Sequence, residues 1–357
     1  MSESADRRDR ARVAFSTSGV RGPVLVTSAA NIRYLTGFSG SNAVLLLGTE
    51  PDEDLIGTDG RYADQVAEES PDLPAEIDRA TVAAVAGHVS GSVLGVETSA
   101  PLAVVEGIRA LGLQPIAAPD VVEALRAVKD EGELALIERA CQVTSLALEA
   151  LIPEIRPHVT ERYLARRLET LFSDGGGEDR AFPTIVASGR NSAIPHHQPD
   201  DTRLELGDLV VIDAGARVQG YHADMTRTFV VGRSPTAEQE DMHAAVEQAH
   251  AAGVAACLPG RAADTIDAAA RLVLRERGLE DRFTHGLGHG VGLEIHEAPA
   301  VSSRATGTIQ ANMTITVEPG VYLPGQGGVR IEDTLVVADA GPRALTTGGT
   351  GLRVVGL

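Results

Sequence analysis

Short apolar runs alternate with amphipathic stretches between residues 13 and 120. The runs 24–26 (VLV), 43–47 (AVLLL) and 92–96 (SVLGV) have the length and β-branched content of buried strands. Between and after them, 60–70 (GRYADQVAEES) and 101–112 (PLAVVEGIRALG) space their apolar residues as helices do, and Gly112 stops the second. This pattern predicts an α/β domain over residues 1–124, leaving 125–357 as a second domain.

From Asp130 the period lengthens. Asp130 and Glu133 have the spacing of a capping box, and Leu134, Ile137, Cys141, Leu148 and Leu151 keep one helical face apolar until Pro153. A second helix is predicted from Thr160 to about Phe172, ending at the glycines 175–177. Strands follow in 182–186 (FPTIV), 208–215 (DLVVIDAG) and 221–231 (YHADMTRTFVV). The same order then recurs. Thr236 and Gln239 open a helix towards Pro259, another spans about 264–278, and strands are predicted in 292–298 (GLEIHEA), 313–320 (MTITVEPG) and 329–337 (VRIEDTLVV). Two helices followed by strands, twice over, read as an internal duplication.

Residues repeat along with elements. Asp213-Ala-Gly215 is matched by Glu318-Pro-Gly320, and Asp224-Met-Thr226 by Glu332-Asp-Thr334. Each half therefore offers a hairpin with one acid on either strand, and pseudo-twofold symmetry would bring four carboxylates to one point, with the helices on the outer face of a curved sheet. Like charges at short range raise one another's pKa, so such a cluster needs counter-charge. Two divalent cations would supply it, bridged about 3.5 Å apart. A nitrogen ligand would favour a transition metal over Mg or Ca. The stretch 284–299 (THGLGHGVGLEIHEAP) offers one in His289, set among alternating glycines that allow close approach.

Composition narrows the alternatives. The formal charge of −19 argues against a nucleic-acid partner. No apolar run is long enough to span a bilayer, and no apolar stretch follows the charged start MSESADRRDRAR, so no signal peptide, no membrane partner and a cytoplasmic location are expected. Lys129 is the one lysine, which excludes a phosphate-binding loop of the G-x-x-x-x-G-K type. The glycine-rich stretch fits no dinucleotide fingerprint, His296-Glu297 lacks the second histidine of a zincin, and no G-x-S-x-G occurs. Cys141 and Cys257 read as free core thiols.

Together with NIRYLTGFSGSNA and DGRY in the first domain and SGRNSAIPHH in the second, this set resembles the pita-bread metallopeptidases, in the branch of prolidase and aminopeptidase P. The resemblance implies an α+β chain: a C-terminal pita-bread domain with a pseudo-twofold αα-β repeat, after a smaller creatinase N-terminal-like α/β domain. It implies that Asp213, Asp224, His289, Glu318 and Glu332 hold two divalent ions of Mn, Co or Zn, with Asp224 and Glu332 bridging. It further implies that a metal-activated hydroxide hydrolyses an Xaa-Pro bond in a small peptide with proline second, and that the protein forms a homodimer. On the same grounds Glu318 handles the water's proton, His296 faces the oxyanion and His196 faces the leaving-group side. Arg330 supports the carboxylates and the substrate, and Thr226 and Thr334 orient Asp224 and Glu332. His285 is left outside the ligand set, and His197 remains open as the working member of its pair. Two other functions stay in view: hydrolysis of a small non-peptide C–N bond, as in creatinase, and a non-catalytic peptide-binding module.

Overall fold

A computed structural model describes residues 2–357, which divide into two compact units, the first ending at Arg126 and the second spanning Ala127–Leu357. In the first unit six strands lie in the spatial order Ala75–Ile77, Leu55–Thr58, Ala43–Leu47, Val24–Val26, Val93–Glu97, Gln114–Ala118. The three strands legible from apolar runs occupy its centre, where both faces are covered. The helices Ala63–Glu69 and Leu102–Ala110 form within the predicted stretches. A helix over Glu3–Thr17 was not predicted, because its surface is mostly charged. It is held by tertiary contacts instead. Ala11 and Phe15 are buried, while Arg8 Nε and Arg12 Nη1 lie 3.1 and 3.0 Å from the Asp54 carboxylate.

The second unit shows the duplication. Helices Glu131–Leu151 and Glu161–Asp174 precede the first set of strands, and Ala237–Ala256 and Ala263–Glu276 precede the second. The caps act as predicted: the Asp130 side chain accepts from Glu133 N and Glu133 from Asp130 N, Thr160 caps the second helix, and Thr236 with Gln239 repeats the box. At the centre of the main sheet Met225–Val231 pairs with Glu332–Val336. Outward on one side lie Leu209–Ala214 and Ile185–Ser188, and on the other Thr314–Val317 and Gly288–Gly290. The pseudo-twofold axis thus passes between the two central strands.

Side-chain alternation divides the labour between the faces. Val210, Ile212 and Ala214 pack with Ile137, Leu148, Leu164 and Leu168 of the first helix pair. Ile315, Val317 and Leu335 pack with Val246, Ile266 and Leu274 of the second. Asp213 alternates with Val210 and Ile212, and Glu332 alternates with Leu335, so both point to the face away from the helices.

Three predicted strands are corrected. The stretch 221–231 breaks into Tyr221–His222 and Met225–Val231, and 329–337 breaks at Ile331 into Gly327–Arg330 and Glu332–Val336. In both cases the chain leaves the main sheet to form a small side sheet, so Asp224 and Glu318 sit at strand ends and not within a regular hairpin. The stretch 292–298 is a turn as far as His296, and its strand is Glu297–Val301. The Glu297 carboxylate folds back over that turn, with Oε1 2.3 Å from where a Cβ on Gly292 would lie.

Gly215 marks the first departure from the sheet, and a Cβ there would meet the Ala223 carbonyl oxygen at 1.7 Å. Backbone cannot yield as a flexible side chain can. Gly215→Ala is therefore expected to cost at least about 4 kcal/mol, or to prevent folding, whereas Gly349→Ala, which meets nothing within 4 Å, should stay within about 0.5 kcal/mol of wild type. Urea unfolding of both variants checks this, and equal stabilities would contradict it.

Candidate metal centre

Asp213 lies opposite Thr226, and Thr226 opposite Glu332, across three neighbouring strands. The two acids therefore flank one threonine on the same face. The Thr226 hydroxyl donates to Glu332 Oε2 at 2.7 Å. Asp224 is held through its backbone: its N–H donates to Thr334 Oγ1 at 3.3 Å, and the Thr334 hydroxyl donates to its carbonyl at 2.8 Å. The pairing thus crosses between the repeats, each threonine serving the acid of the other half. The sequence pattern pairs them within each half, because it cannot show that the two central strands are neighbours.

Glu318 follows Thr314–Val317 directly, and its N–H donates to the Leu287 carbonyl at 2.8 Å. His289 stands on Gly288–Gly290, where close packing leaves no room for side chains on its neighbours. A Cβ on Gly288 would lie 2.0 Å from Thr316 O, and one on Gly290 would lie 2.1 Å from Ala298 O. Only glycines flanking His289 let its strand approach the sheet this closely.

The electrostatics are unfavourable without a cation. Asp213, Asp224 and Glu332 are 9%, 5% and 1% exposed. Arg330 faces them, with Nη2 2.6 Å from Asp213 Oδ2. Its Nε reaches Thr226 Oγ1 and its Nη1 reaches Tyr322 OH, at 3.2 and 2.9 Å. One guanidinium cannot balance four acids. Burial, and then the neighbouring carboxylates, hold Asp224 and Glu332 well above the ordinary carboxyl range. Burial pushes Glu318 up to about 8. Asp213 Oδ1, Asp224 Oδ1 and Glu332 Oε1 are buried without a hydrogen-bond partner. Three orphaned carboxylate oxygens in one place are what a cation-binding site presents.

His289 fits the same reading. Its Nδ1 lies 3.0 Å from the Gly290 carbonyl, which can only accept, so the ring proton resides there. Nε2 then carries a lone pair, directed at Asp224 Oδ2 and Glu318 Oε1 from 3.6 and 3.5 Å. Burial lowers His289 to about 4, so it is neutral near pH 7, as a metal ligand must be. Asp224, His289 and Glu332 each offer one ligand atom within 4.8 Å of the others. The donor set therefore suits divalent transition metals.

The other histidines divide by their partners. Both ring nitrogens of His285 are engaged, at 2.9 Å by Gly286 O and at 2.9 Å by Tyr322 OH. His197 Nε2 lies 2.7 Å from Glu161 Oε2. Glu161 is fully buried and also accepts from Ser188 N, Ser188 Oγ and Asn191 Nδ2. The group Glu161, His197 and Asp200 is thus satisfied by protein donors, and it fastens the loop that carries His196. The His196 and His296 imidazoles make no hydrogen bond to the protein among the described residues. Both line a cavity of about 430 Å³ together with the five ligand candidates, Arg330, and the apolar Phe182, Pro183, Ile185 and Ile295. Sequence patterns had not signalled Tyr322 or Glu161, whose partners lie far along the chain.

Ligands must shed protons to hold a cation. Glu318 is raised to about 8, so it is protonated at neutral pH in the metal-free protein, and ion uptake there displaces at least one proton. Affinity should fall as pH drops from 8 towards 6, by up to about tenfold per unit for each proton displaced. By the same linkage, a carboxyl raised in the folded state stabilises the metal-free protein below the ordinary carboxyl range. That contribution is lost as pH rises through about 8. Calorimetric Mn²⁺ titrations in buffers of different ionisation enthalpy should show proton release at pH 6.5 and less at pH 9. Equal release at both would contradict the assignment.

Comparison with known proteins agrees with this geometry. Residues 135–339 match the model of metallopeptidase family M24, and residues 7–128 match the creatinase/prolidase N-terminal domain. The Xaa-Pro dipeptidase of Pyrococcus horikoshii is 38% identical over 325 residues, covering 90% of this chain and 92% of that protein. The solved structure of the Xaa-Pro dipeptidase from Bacillus anthracis superposes with a TM-score of 0.94 at 31% identity, covering 99% of this chain and 100% of that one. The X-Pro aminopeptidase from Thermotoga maritima gives 0.89 at 33% identity, covering 98% and 99%. Family model, sequence and fold converge: the chain belongs to metallopeptidase family M24, a pita-bread metallopeptidase with a creatinase/prolidase N-terminal domain.

Proposed function

We propose that this protein is a proline-specific exopeptidase that hydrolyses the Xaa-Pro bond of small peptides, as a dipeptidase or as an aminopeptidase. The observation that carries the reading is the set of buried Asp213, Asp224 and Glu332 with half-buried His289 and Glu318, and its three orphaned carboxylate oxygens, lining a cavity of about 430 Å³. That volume is near the small end of ligand sites, which run from about 300 to 1,000 Å³. The similarity to Xaa-Pro dipeptidases and to an X-Pro aminopeptidase supports the choice of bond.

Asp213, Asp224, His289, Glu318 and Glu332 would hold two divalent ions of the Mn, Co or Zn kind, which would supply counter-charge, carbonyl polarisation and a water acidic enough to ionise near neutral pH. The chain's own groups do the rest. Glu318, deprotonated once the cations are bound, takes the attacking water's proton and passes it towards the proline nitrogen as the C–N bond breaks. His296, whose partial burial favours the neutral imidazole, retains one N–H to donate to the developing oxyanion. His196 contacts the leaving-group side from the facing rim. Arg330 fixes Asp213 and, through Tyr322, joins the wall around His285. Phe182, Pro183 and Ile185 offer apolar surface for a pyrrolidine ring.

His289→Ala should lose metal and abolish turnover, whereas His285→Ala should keep near-normal metal content; equal loss in both would overturn the ligand assignment. His196→Ala and His296→Ala should retain their metals while kcat/KM on Ala-Pro falls by roughly 10²–10³-fold. Ala-Ala should be a much poorer substrate than Ala-Pro in the wild type. Equal cleavage of the two dipeptides would remove the proline assignment while leaving the metal centre intact.

A further inference from the structure

His296 has no protein partner for its imidazole among the described residues, yet an oxyanion donor must be held to within a fraction of an ångström. Its ring meets His289 edge-to-face, with centroids 4.3 Å apart. The remaining constraint is the backbone of the 291–296 turn, and that turn is closed by the next residue. The Glu297 carboxylate lies over Gly292, its Oε2 accepts from Glu294 N at 3.4 Å, and its Oε1 is 2.5 Å from Lys129 Nζ. Gly292 O in turn accepts from His222 N at 2.9 Å.

Lys129 is the one lysine among 31 basic residues, and its side chain is only 1% exposed. It stands just before the helix Glu131–Leu151, and its own backbone is fastened, with Lys129 N donating to Asn312 O at 3.0 Å and Val128 bridging Met313. Met313 leads directly into the strand Thr314–Val317, which Glu318 follows. A compact ammonium on a flexible stem can enter this buried slot, where a planar guanidinium would need several partners at once. Burying a charge pair is not an efficient route to stability, since apolar residues of like volume often serve as well. Positional control accounts for it better.

We infer that the Lys129–Glu297 ion pair is a positioning device: it ties the turn bearing His296 to the segment that carries Glu318, and so fixes the oxyanion donor relative to the metal ligands. The inference rests on the role given to His296 above.

The test compares Lys129→Met/Glu297→Ala, which removes both partners of the clamp, with Lys129→Met/Glu297→Gln, whose amide oxygen can still accept from Glu294 N. The first should keep its metals and Tm close to wild type while kcat on Ala-Pro falls about 100-fold with little change in KM. The second, which keeps the turn contact to Glu294 N but still lacks the tie to Lys129, should fall by a similar factor, and wild-type kcat there overturns the inference. In a His296→Ala background, Lys129→Met/Glu297→Ala should add less than about a twofold further loss, because it acts through a side chain no longer there. Wild-type kcat in Lys129→Met/Glu297→Ala, or an undiminished loss in the His296→Ala background, overturns the inference. Should that variant not fold, the Lys129→Met/Glu297→Gln pair decides through the same cycle: a full loss that persists without His296 overturns it. Full activity of His296→Ala alone would instead refute the role of His296, and is distinguishable from failure of the clamp.

Discussion

Four carboxylates share a space from which water is largely excluded, and one guanidinium faces them. At an effective dielectric constant of about 20, a pair of like charges 4 Å apart costs about 4 kcal/mol. Asp224 and Glu332 respond by holding protons far above their ordinary range, and Glu318 by titrating near 8. Such a cluster weakens the metal-free fold as pH rises. On the proposed reading the fold retains it because the orphaned oxygens of Asp213, Asp224 and Glu332, with the lone pair of His289, could together hold cations.

The duplicated architecture makes that concentration of charge possible. Each repeat places one helix pair on the outer face and presents its acids on the other, and the two central strands bring the halves together. Thr226 and Thr334 reach across the symmetry axis, so neither half can position its acids alone. Backbone contacts at Gly215, Gly288 and Gly290 are too close for any Cβ, which ties the ligand-bearing segments to the sheet more tightly than side-chain packing would. The two free imidazoles, His196 and His296, sit beside residues held by buried partners, His197 by its contact to Glu161 and Glu297 by its ion pair with Lys129. Freedom to meet a substrate at one residue is combined with restraint at the next.

Much of this was legible from residue order. Helix caps at Asp130, Thr160 and Thr236 depend on neighbours three residues away, and apolar runs such as 43–47 and 92–96 declare themselves as strands, which the sheet places at its centre. The paired acids were visible because the repeat preserves their spacing. What stayed hidden depends on distant partners. The Glu3–Thr17 helix has few apolar residues and is stabilised through Asp54. Tyr322 gains its place only when Arg330 and His285 converge on it, and the breaks at Ala223–Asp224 and Ile331 appear only when strands change sheets. The crossed threonine bonds need the central strand pairing, which no local pattern encodes.

The central claim is that these acids are buried together in order to hold cations. The most direct measurement is elemental analysis of the chain after reconstitution with Mn²⁺, joined to paramagnetic resonance of the bound ions. The account predicts two ions per chain, close enough to be spin-coupled at the separation of about 3.5–4 Å usual in two-metal sites. A chain that takes up no stoichiometric metal, or one that holds a single uncoupled ion at saturation, would contradict it.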